Sequence, residues 1–368
     1  ANGGVASSIG ASSSAAGNLV LSNLNAGVLR YIGATNASSD RLFTLGNQQG
    51  YAGGFEASGT GTLNLTNTGA VAYAQANAGR VFSLGGTNTG QNILNAQLVD
   101  NGTGALSFIK NGTGNWVLAN NSNSYNGTTT LNGGTLSVSK MADYGTVSAI
   151  GRGTAGAAIV FNGGALNYTG NSDDTNRLIQ LNSNGTILNN GTGALNFTAT
   201  GNFNVQVATG TARTLSLGGT NGGTISGAIQ NNNAGTISLA KIGSGTWTLQ
   251  GNNTFTGASS VTSGTLVLDY SINGGSKLSN TAALTLSGGT LTISGGSHTE
   301  IVASTTLTTN TGSVISRVSG ASVLQMGAIT RNNSSTVTFT ADNIATTTTT
   351  NTNGILGTWA TVGSNWAK

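Results

Sequence analysis

The chain has 368 residues, of which 59 are Gly and only 6% are charged, with neither Pro nor Cys. This composition excludes a collagen, a disulfide scaffold and a thiolate metal site, and 37% hydrophobic residues with a formal charge of +4 exclude intrinsic disorder. Thirteen basic and nine acidic residues, scattered singly, cannot neutralise a run of phosphates, so no nucleic-acid partner is expected, and no apolar run is long enough for a transmembrane segment.

In chain order, residues 1–16 are small and polar and read as an N-terminal arm. Repeats begin at 17. Leu19 to Tyr31 sets alternating apolar pairs around a small-residue turn, as do Ile159 to Tyr168 and Leu284 to Ile293. GTGTLNL from Gly59 returns as GTGALNF from Gly191, and FSLGGTN from Phe82 returns as LSLGGTN from Leu215. The longest match sets Lys110 to Ser139, KNGTGNWVLANNSNSYNGTTTLNGGTLSVS, against Lys241 to Asp269, KIGSGTWTLQGNNTFTGASSVTSGTLVLD. It pairs Lys110 with Lys241, Gly112 with Gly243, Gly114 with Gly245, Trp116 with Trp247 and Leu118 with Leu249. Further on, Tyr125 pairs with Phe255, Gly134 with Gly264 and Leu136 with Leu266. Units 17–141 and 156–270, with a divergent third from 283, give a repeat domain over 17–335, followed by a C-terminal rung or extension, 336–368.

Apolar residues recur at every second position, as in Leu63/Leu65, Trp116/Leu118, Leu215/Leu217 and Leu291/Ile293, which places them on one face of short strands. GG, NG, SG and GTG supply the turns between. The Gly density penalises any helix by about 1 kcal/mol per Gly relative to Ala, so the chain is expected to be all-β. In a parallel solenoid the rungs stack at about 4.8 Å. A charge then faces its like along a column, whereas Asn, Thr and Ser hydrogen-bond along it. Strands paired on both sides need every amide, which excludes Pro. The composition therefore points to a parallel β-helix, a β-solenoid drawn out as a single elongated rod.

The segments GTGNWVLANNSNSYNGTTTLNGGTLSV and GSGTWTLQGNNTFTGASSVTSGTLVL resemble the autotransporter-associated β-strand repeat, also called the passenger-associated transport repeat. That motif runs G-x-G-x-W/L-x-L, an N/S-rich turn, an aromatic, G, and a small-residue run ending in G-T-L. Its structural positions fall on the eight matched pairs above, the two lysines excepted. The resemblance implies a right-handed parallel β-helix that is secreted and exposed on a bacterial cell surface. ITRNNSSTVTFTADN and NGILGTWATVGSNWA, near the C-terminus, are similar to segments of very long repeat-containing surface proteins.

Few residues offer chemistry. His298 is the only histidine, with Glu300 two residues on, and it reads as a solvent-exposed turn residue; Asp173 and Asp174 read as a solvated turn. Trp116 and Trp247 read as stacked core aromatics rather than a sugar platform. No cofactor, metal or catalytic site is expected, and the chain is not expected to be an enzyme. The first functional expectation is a structural surface protein that associates with itself head to tail into a filament, through open solenoid ends and the apolar positions Val337, Phe339, Ile355, Trp359, Val362 and Trp366. The alternatives are an adhesin binding glycans or host surfaces, a polysaccharide-cleaving β-helix enzyme, and an ice-binding solenoid, the last disfavoured by irregular rung spacing.

Overall fold

The computed structural model describes residues 1–22, 26–47, 52–205 and 210–368. The one helical element among them is a 3₁₀ turn, Ala16–Asn18, and the rest of the regular structure is short strands, as the period-two pattern requires. The strands stack in parallel as a β-solenoid, and contacts group the chain into two units, Ala1–Asn182 and Ser183–Lys368.

In the first unit one sheet stacks Gly27–Tyr31, Ala52–Ala57, Arg80–Gly86, Leu106–Lys110, Thr129–Leu131, Ile159–Phe161 and Ile179–Leu181. A second stacks Ala37–Ser39, Leu63–Leu65, Asn92–Leu94, Asn115–Leu118, Thr135–Val138 and Ala165–Tyr168. The register puts like over like: Trp116 pairs with Leu136, and Leu136 with Leu166. Inward positions build an aromatic column in which Phe43 and Phe82 stack at 5.0 Å, Phe82 and Phe108 lie 6.3 Å apart, and Phe108 and Tyr125 lie 6.5 Å apart. Such pairs contribute about 0.5 to 1.5 kcal/mol each beyond burial. The N-terminal residues fold against the rung at Ala37–Ser39. Ser39 Oγ donates to the Ala1 carbonyl (2.9 Å), the Gly3 amide to Asp40 Oδ1 (2.7 Å), and the Leu42 amide to the Ser14 carbonyl (3.0 Å).

In the second unit one sheet runs Gly185–Asn189, Arg213–Gly218, Ile237–Lys241, Ser259–Val261, Ala283–Leu286, Ser304–Leu307 and Ala328–Arg331. Another runs Leu195–Phe197, Gly223–Ile225, Thr246–Leu249, Thr265–Asp269, Thr290–Ser294, Gly312–Arg317, Thr336–Phe339 and Ala360–Val362. Its core column is Trp247, Leu266, Leu291, Ile315 and Phe339, each paired with the next. One outward column is Thr246, Thr265, Thr290, Val314, Thr338 and Thr361. β-Branched residues on the face and apolar residues in the core are what a pleated, one-side-buried sheet selects. Strand Asn365–Trp366 turns back antiparallel on Ala360–Val362.

Candidate functional site

Each copy of the long repeat is a turn closed from inside by a lysine. Gly112 and Gly243 sit at φ 68° and 67°, a left-handed conformation that favours Gly, and a Cβ on Gly112 would lie 2.4 Å from the Gly86 carbonyl oxygen of the neighbouring rung. That bend aims carbonyls at the core. Lys110 Nζ donates to the carbonyls of Asn111 (2.8 Å), Gly112 (3.1 Å) and Gly133 (3.0 Å); Lys241 Nζ donates to those of Ile242 (2.9 Å), Gly243 (2.7 Å) and Ser263 (3.0 Å). Both lysines are fully buried, and desolvation pushes each down to about 8. The tryptophans take the next polar step, with Trp116 Nε1 donating to the Gly85 carbonyl (2.8 Å) and Trp247 Nε1 to that of Gly218 (3.0 Å). Both indoles are fully buried, as are Leu136 and Leu266, while Leu118, Leu249, Tyr125 and Phe255 are buried to within 2%.

The Asn-rich turn supplies a second pair of ties. Asn123 Oδ1 accepts from the Leu98 amide (2.8 Å) and its Nδ2 donates to the Ala149 carbonyl (2.7 Å). Asn253 does the same with the Ile229 amide (2.8 Å) and the Lys277 carbonyl (2.7 Å), so each Asn bridges rungs on both sides. Asp100 Oδ1 accepts from the amides of Leu106 (2.9 Å) and Asn126 (3.0 Å), and Asn231 Oδ1 accepts from those of Ile237 (3.0 Å) and Thr256 (3.0 Å). Sequence reasoning missed all of these. The Lys pair was in the alignment, and its strict position ahead of G-x-G was the available signal.

His298 is not the exposed turn residue the sequence suggested. Its ring stacks on Tyr270 at 4.9 Å, its side chain is 22% exposed, and Nε2 is buried without a hydrogen-bond partner, 3.9 Å from Glu300 Oε2. Glu300 is drawn into the core by the Lys277 amide (2.8 Å), the Leu278 amide (3.0 Å) and the Tyr270 hydroxyl, and this pulls the turn inward. Burial raises the Glu300 carboxyl above its usual range. Asp173 is also not a solvated turn. It opens strand Asp173–Thr175, and its Oδ2 accepts from the Met141 amide (2.8 Å) and the Tyr168 hydroxyl (2.9 Å); Asp174 is exposed.

Of the C-terminal apolar positions, Val337 and Phe339 are buried in the rung at Thr336–Phe339 and pair with Ala360 and Val362. Trp359 is half-buried, and its carbonyl accepts from the Val337 amide (2.9 Å). Phe339, Ile355, Val362 and Trp366 line a cavity of about 890 Å³.

Seven of the nine carboxylates hold structural roles within the chain, and Asp174 and Asp342 are exposed. Asp40, Asp100, Asp143, Asp173, Asp269 and Glu300 accept hydrogen bonds from this chain's own backbone, and Glu56 pairs with Arg30 at 2.6 Å. Among the described residues no group of three His, Cys, Asp or Glu side chains could hold a metal ion, and no helix is long and apolar enough to cross a membrane. On the second unit the outward column from Thr246 to Thr361, exposed or half-buried along its length, carries no charge.

A parallel β-solenoid whose rungs are closed by a paired Lys–Gly–Trp turn is the class that these features define. Residues 108–138 and 239–268, the two turns just described, match the Passenger-associated-transport-repeat family, so the chain carries two copies of that repeat. Among curated proteins it is similar to the Adhesin BmaC autotransporter of Brucella suis biovar 1 (strain 1330), with 41% identity over 299 residues. The match takes in 79% of this chain and 8% of the relative, so the chain spans a small part of that protein's length. No solved structure matches the chain.

Proposed function

We propose that this chain is a surface-exposed, adhesive β-solenoid segment of an exported bacterial protein, and that it works by presenting sheet faces rather than by catalysis. The observation that carries this reading is that Lys110, Lys241 and Glu300 are spent on closing the rungs while the outward column from Thr246 to Thr361 offers an uncharged, β-branched sheet face. The similarity to a protein described as an adhesin autotransporter supports it. The purified chain is expected to bind surface glycans or host cells saturably. A glycan array and a cell-binding assay that both stay at background would sink the reading.

A second reading, end-to-end association into filaments, is favoured by the cavity of about 890 Å³, lined by Phe339, Ile355, Val362 and Trp366 together with Asp342 and Asn351, which would take a segment of a second copy with both apolar and polar side chains. Sedimentation velocity at rising concentration, with negative-stain images, tests it. Filaments that disappear in Trp366→Ser support the reading. A chain that stays monomeric removes it.

A further inference from the structure

In the second unit His298 immediately precedes strand Thr299–Ile301 and Glu300 lies within it, a spacing of two that sends both side chains to one face. The Glu300 carboxylate is fully buried and accepts from the amides of Lys277 (2.8 Å) and Leu278 (3.0 Å) and from the Tyr270 hydroxyl, all of them neutral donors. His298 Nε2 is buried with no hydrogen-bond partner and lies 3.9 Å from Glu300 Oε2, while the ring, 22% exposed, stacks on Tyr270. A buried carboxylate without a cation in hydrogen-bond reach thus stands beside a buried nitrogen without a partner. The other charged groups packed around the pair are taken up elsewhere. Lys277 Nζ donates to the carbonyls of Gln250 (3.1 Å), Asn273 (2.7 Å) and Gly275 (3.1 Å), with the Tyr270 ring centre 5.0 Å away. Asp269 accepts from the Ser271 amide (2.9 Å), the Ser271 hydroxyl (2.6 Å) and Gln250 Nε2 (2.9 Å). On the following rung, where Glu300 pairs with Leu324 and the His298 amide donates to Ser322 Oγ (2.8 Å), Arg317 Nη1 reaches the carbonyls of Ser322 (3.5 Å) and Asn343 (3.2 Å).

We propose that His298 and Glu300 take up one proton as a pair, and that this proton is a latch on residues 270–282, the stretch that leaves the rung between strands Thr265–Asp269 and Ala283–Leu286. The proton comes from solvent through the exposed edge of the imidazole and is held on Nε2. A small turn of the ring then closes the gap to Oε2 as a charge-assisted hydrogen bond. One step satisfies the orphan nitrogen and compensates the buried carboxylate. Burial raises the Glu300 carboxyl, which is the same preference for a proton seen from the acid, and two groups this close titrate as a unit. The folded pair binds the proton more tightly than the separated side chains of the unfolded chain, so its contribution to stability is present in mild acid and is lost as pH rises. The stretch carries the exposed Ile272, and its amides at Lys277 and Leu278 hang on Glu300, so the proton sets how firmly this part of the surface is held.

The test compares the full chain with His298→Phe, which keeps a ring against Tyr270 and removes both nitrogens, at about pH 6 and about pH 8, either side of the ordinary histidine range. Titration elsewhere in the chain is common to both proteins and cancels. Exchange of the Lys277 and Leu278 amides is expected to be faster in the variant by about tenfold at the lower pH and by less than about twofold at the higher. A slowly exchanging proton on His298 Nε2 should appear in the NMR spectrum of the unmutated chain at the lower pH alone. In a Glu300→Gln background the same comparison should lose its pH dependence. An exchange ratio equal at the two pH values or larger at the higher one, an Nε2 proton missing in mild acid, or a pH dependence that persists in Glu300→Gln would each overturn the proposal. Should Glu300→Gln fail to fold, the exchange ratio and the Nε2 proton decide alone. None of these outcomes bears on adhesion, which is read by the glycan and cell assays.

Discussion

The two repeat copies differ at one buried hydrogen bond, and that difference is an experiment already half performed. In the first copy the Tyr125 hydroxyl and Thr129 Oγ1 lie 2.7 Å apart, and Thr129 Oγ1 also reaches the Ile150 carbonyl at 3.4 Å. In the second copy the matched residues are Phe255 and Ser259: the ring has no hydroxyl, and Ser259 Oγ is buried with no partner. An unmet buried hydroxyl costs about 1 to 3 kcal/mol, and the bond it lacks contributes a net 0.5 to 1.5 kcal/mol, as typical values. Phe255→Tyr is therefore expected to stabilise the second unit by about 1 to 2 kcal/mol, since the matched site already accommodates the larger ring. Ser259→Ala should be neutral or stabilising because it removes the orphan. Tyr125→Phe should cost about 1 kcal/mol, softened by the second acceptor of Thr129. Denaturant midpoints, with amide exchange to localise the change, measure all three. If Ser259→Ala costs as much as Thr129→Ala, or Phe255→Tyr lowers the midpoint, the reasoning from unsatisfied hydroxyls is wrong here.

Three further outcomes follow from the same turns. Lys241→Met leaves the carbonyls of Ile242, Gly243 and Ser263 without their donor and is expected to cost about 2 to 4 kcal/mol, read as a fall in the urea midpoint. Gly243→Ala forces a side chain onto φ 67° with its Cβ 2.6 Å from the Gly219 nitrogen, so the left-handed penalty of about 1 to 2 kcal/mol is a lower bound on the loss of stability. Stability should also peak in mild alkali. Burial depresses Lys110 and Lys241 from 10.5 to about 8, so the folded state binds fewer protons than the unfolded one between those values. Their contribution is lost as pH falls through 8 and is complete above 10.5. Burial raises Tyr73, Tyr125 and Tyr168 above 10.0, so their contribution is complete below that pH and is lost above it. The denaturation midpoint should climb from about pH 8 to between 9 and 10 and then fall, and the climb should be reduced in Lys110→Met.

The fold was legible because its signals are repeated. Trp116 and Trp247, or Leu136 and Leu266, are apolar residues at period two in two copies, and the register stacks them as that period implies. The ties between rungs were less legible. Asn123 and Asn253 hide in a run where Asn is everywhere and where the alignment loses a residue, so nothing marked which Asn bridges. Asp100 and Asn231 do one job with two residue types, because the job needs only a carbonyl-like oxygen aimed at two amides. Lys110 and Lys241 aligned plainly, but an isolated charge reads as exposed until the geometry supplies three carbonyls around it. His298 was misplaced for a related reason: its position depends on Glu300, whose burial rests on the amides of Lys277 and Leu278, more than twenty residues away in sequence.

The same carbonyl-rich turns account for a basic isoelectric point without a basic surface. At several turns a buried cation meets inward-pointing carbonyls: Arg80 donates to Gly46, Lys110 to Asn111, Arg177 to Ala142, Lys241 to Ile242 and Lys277 to Asn273. Arg41, Arg80, Lys110, Arg177, Arg213, Lys241 and Lys277 are all buried, against Glu300 alone among the acids. Of thirteen basic and nine acidic residues, this leaves six cations and eight carboxylates at least partly exposed. Phosphate or sulfate groups must pair with accessible cations to release counterions. Despite a sequence pI near 9.5, the chain is therefore expected to pass through a heparin column at about 0.1 M salt without retention. Retention that needs added salt for elution would overturn the inference that burial of the cations, and not the sequence pI, sets the charge of the surface.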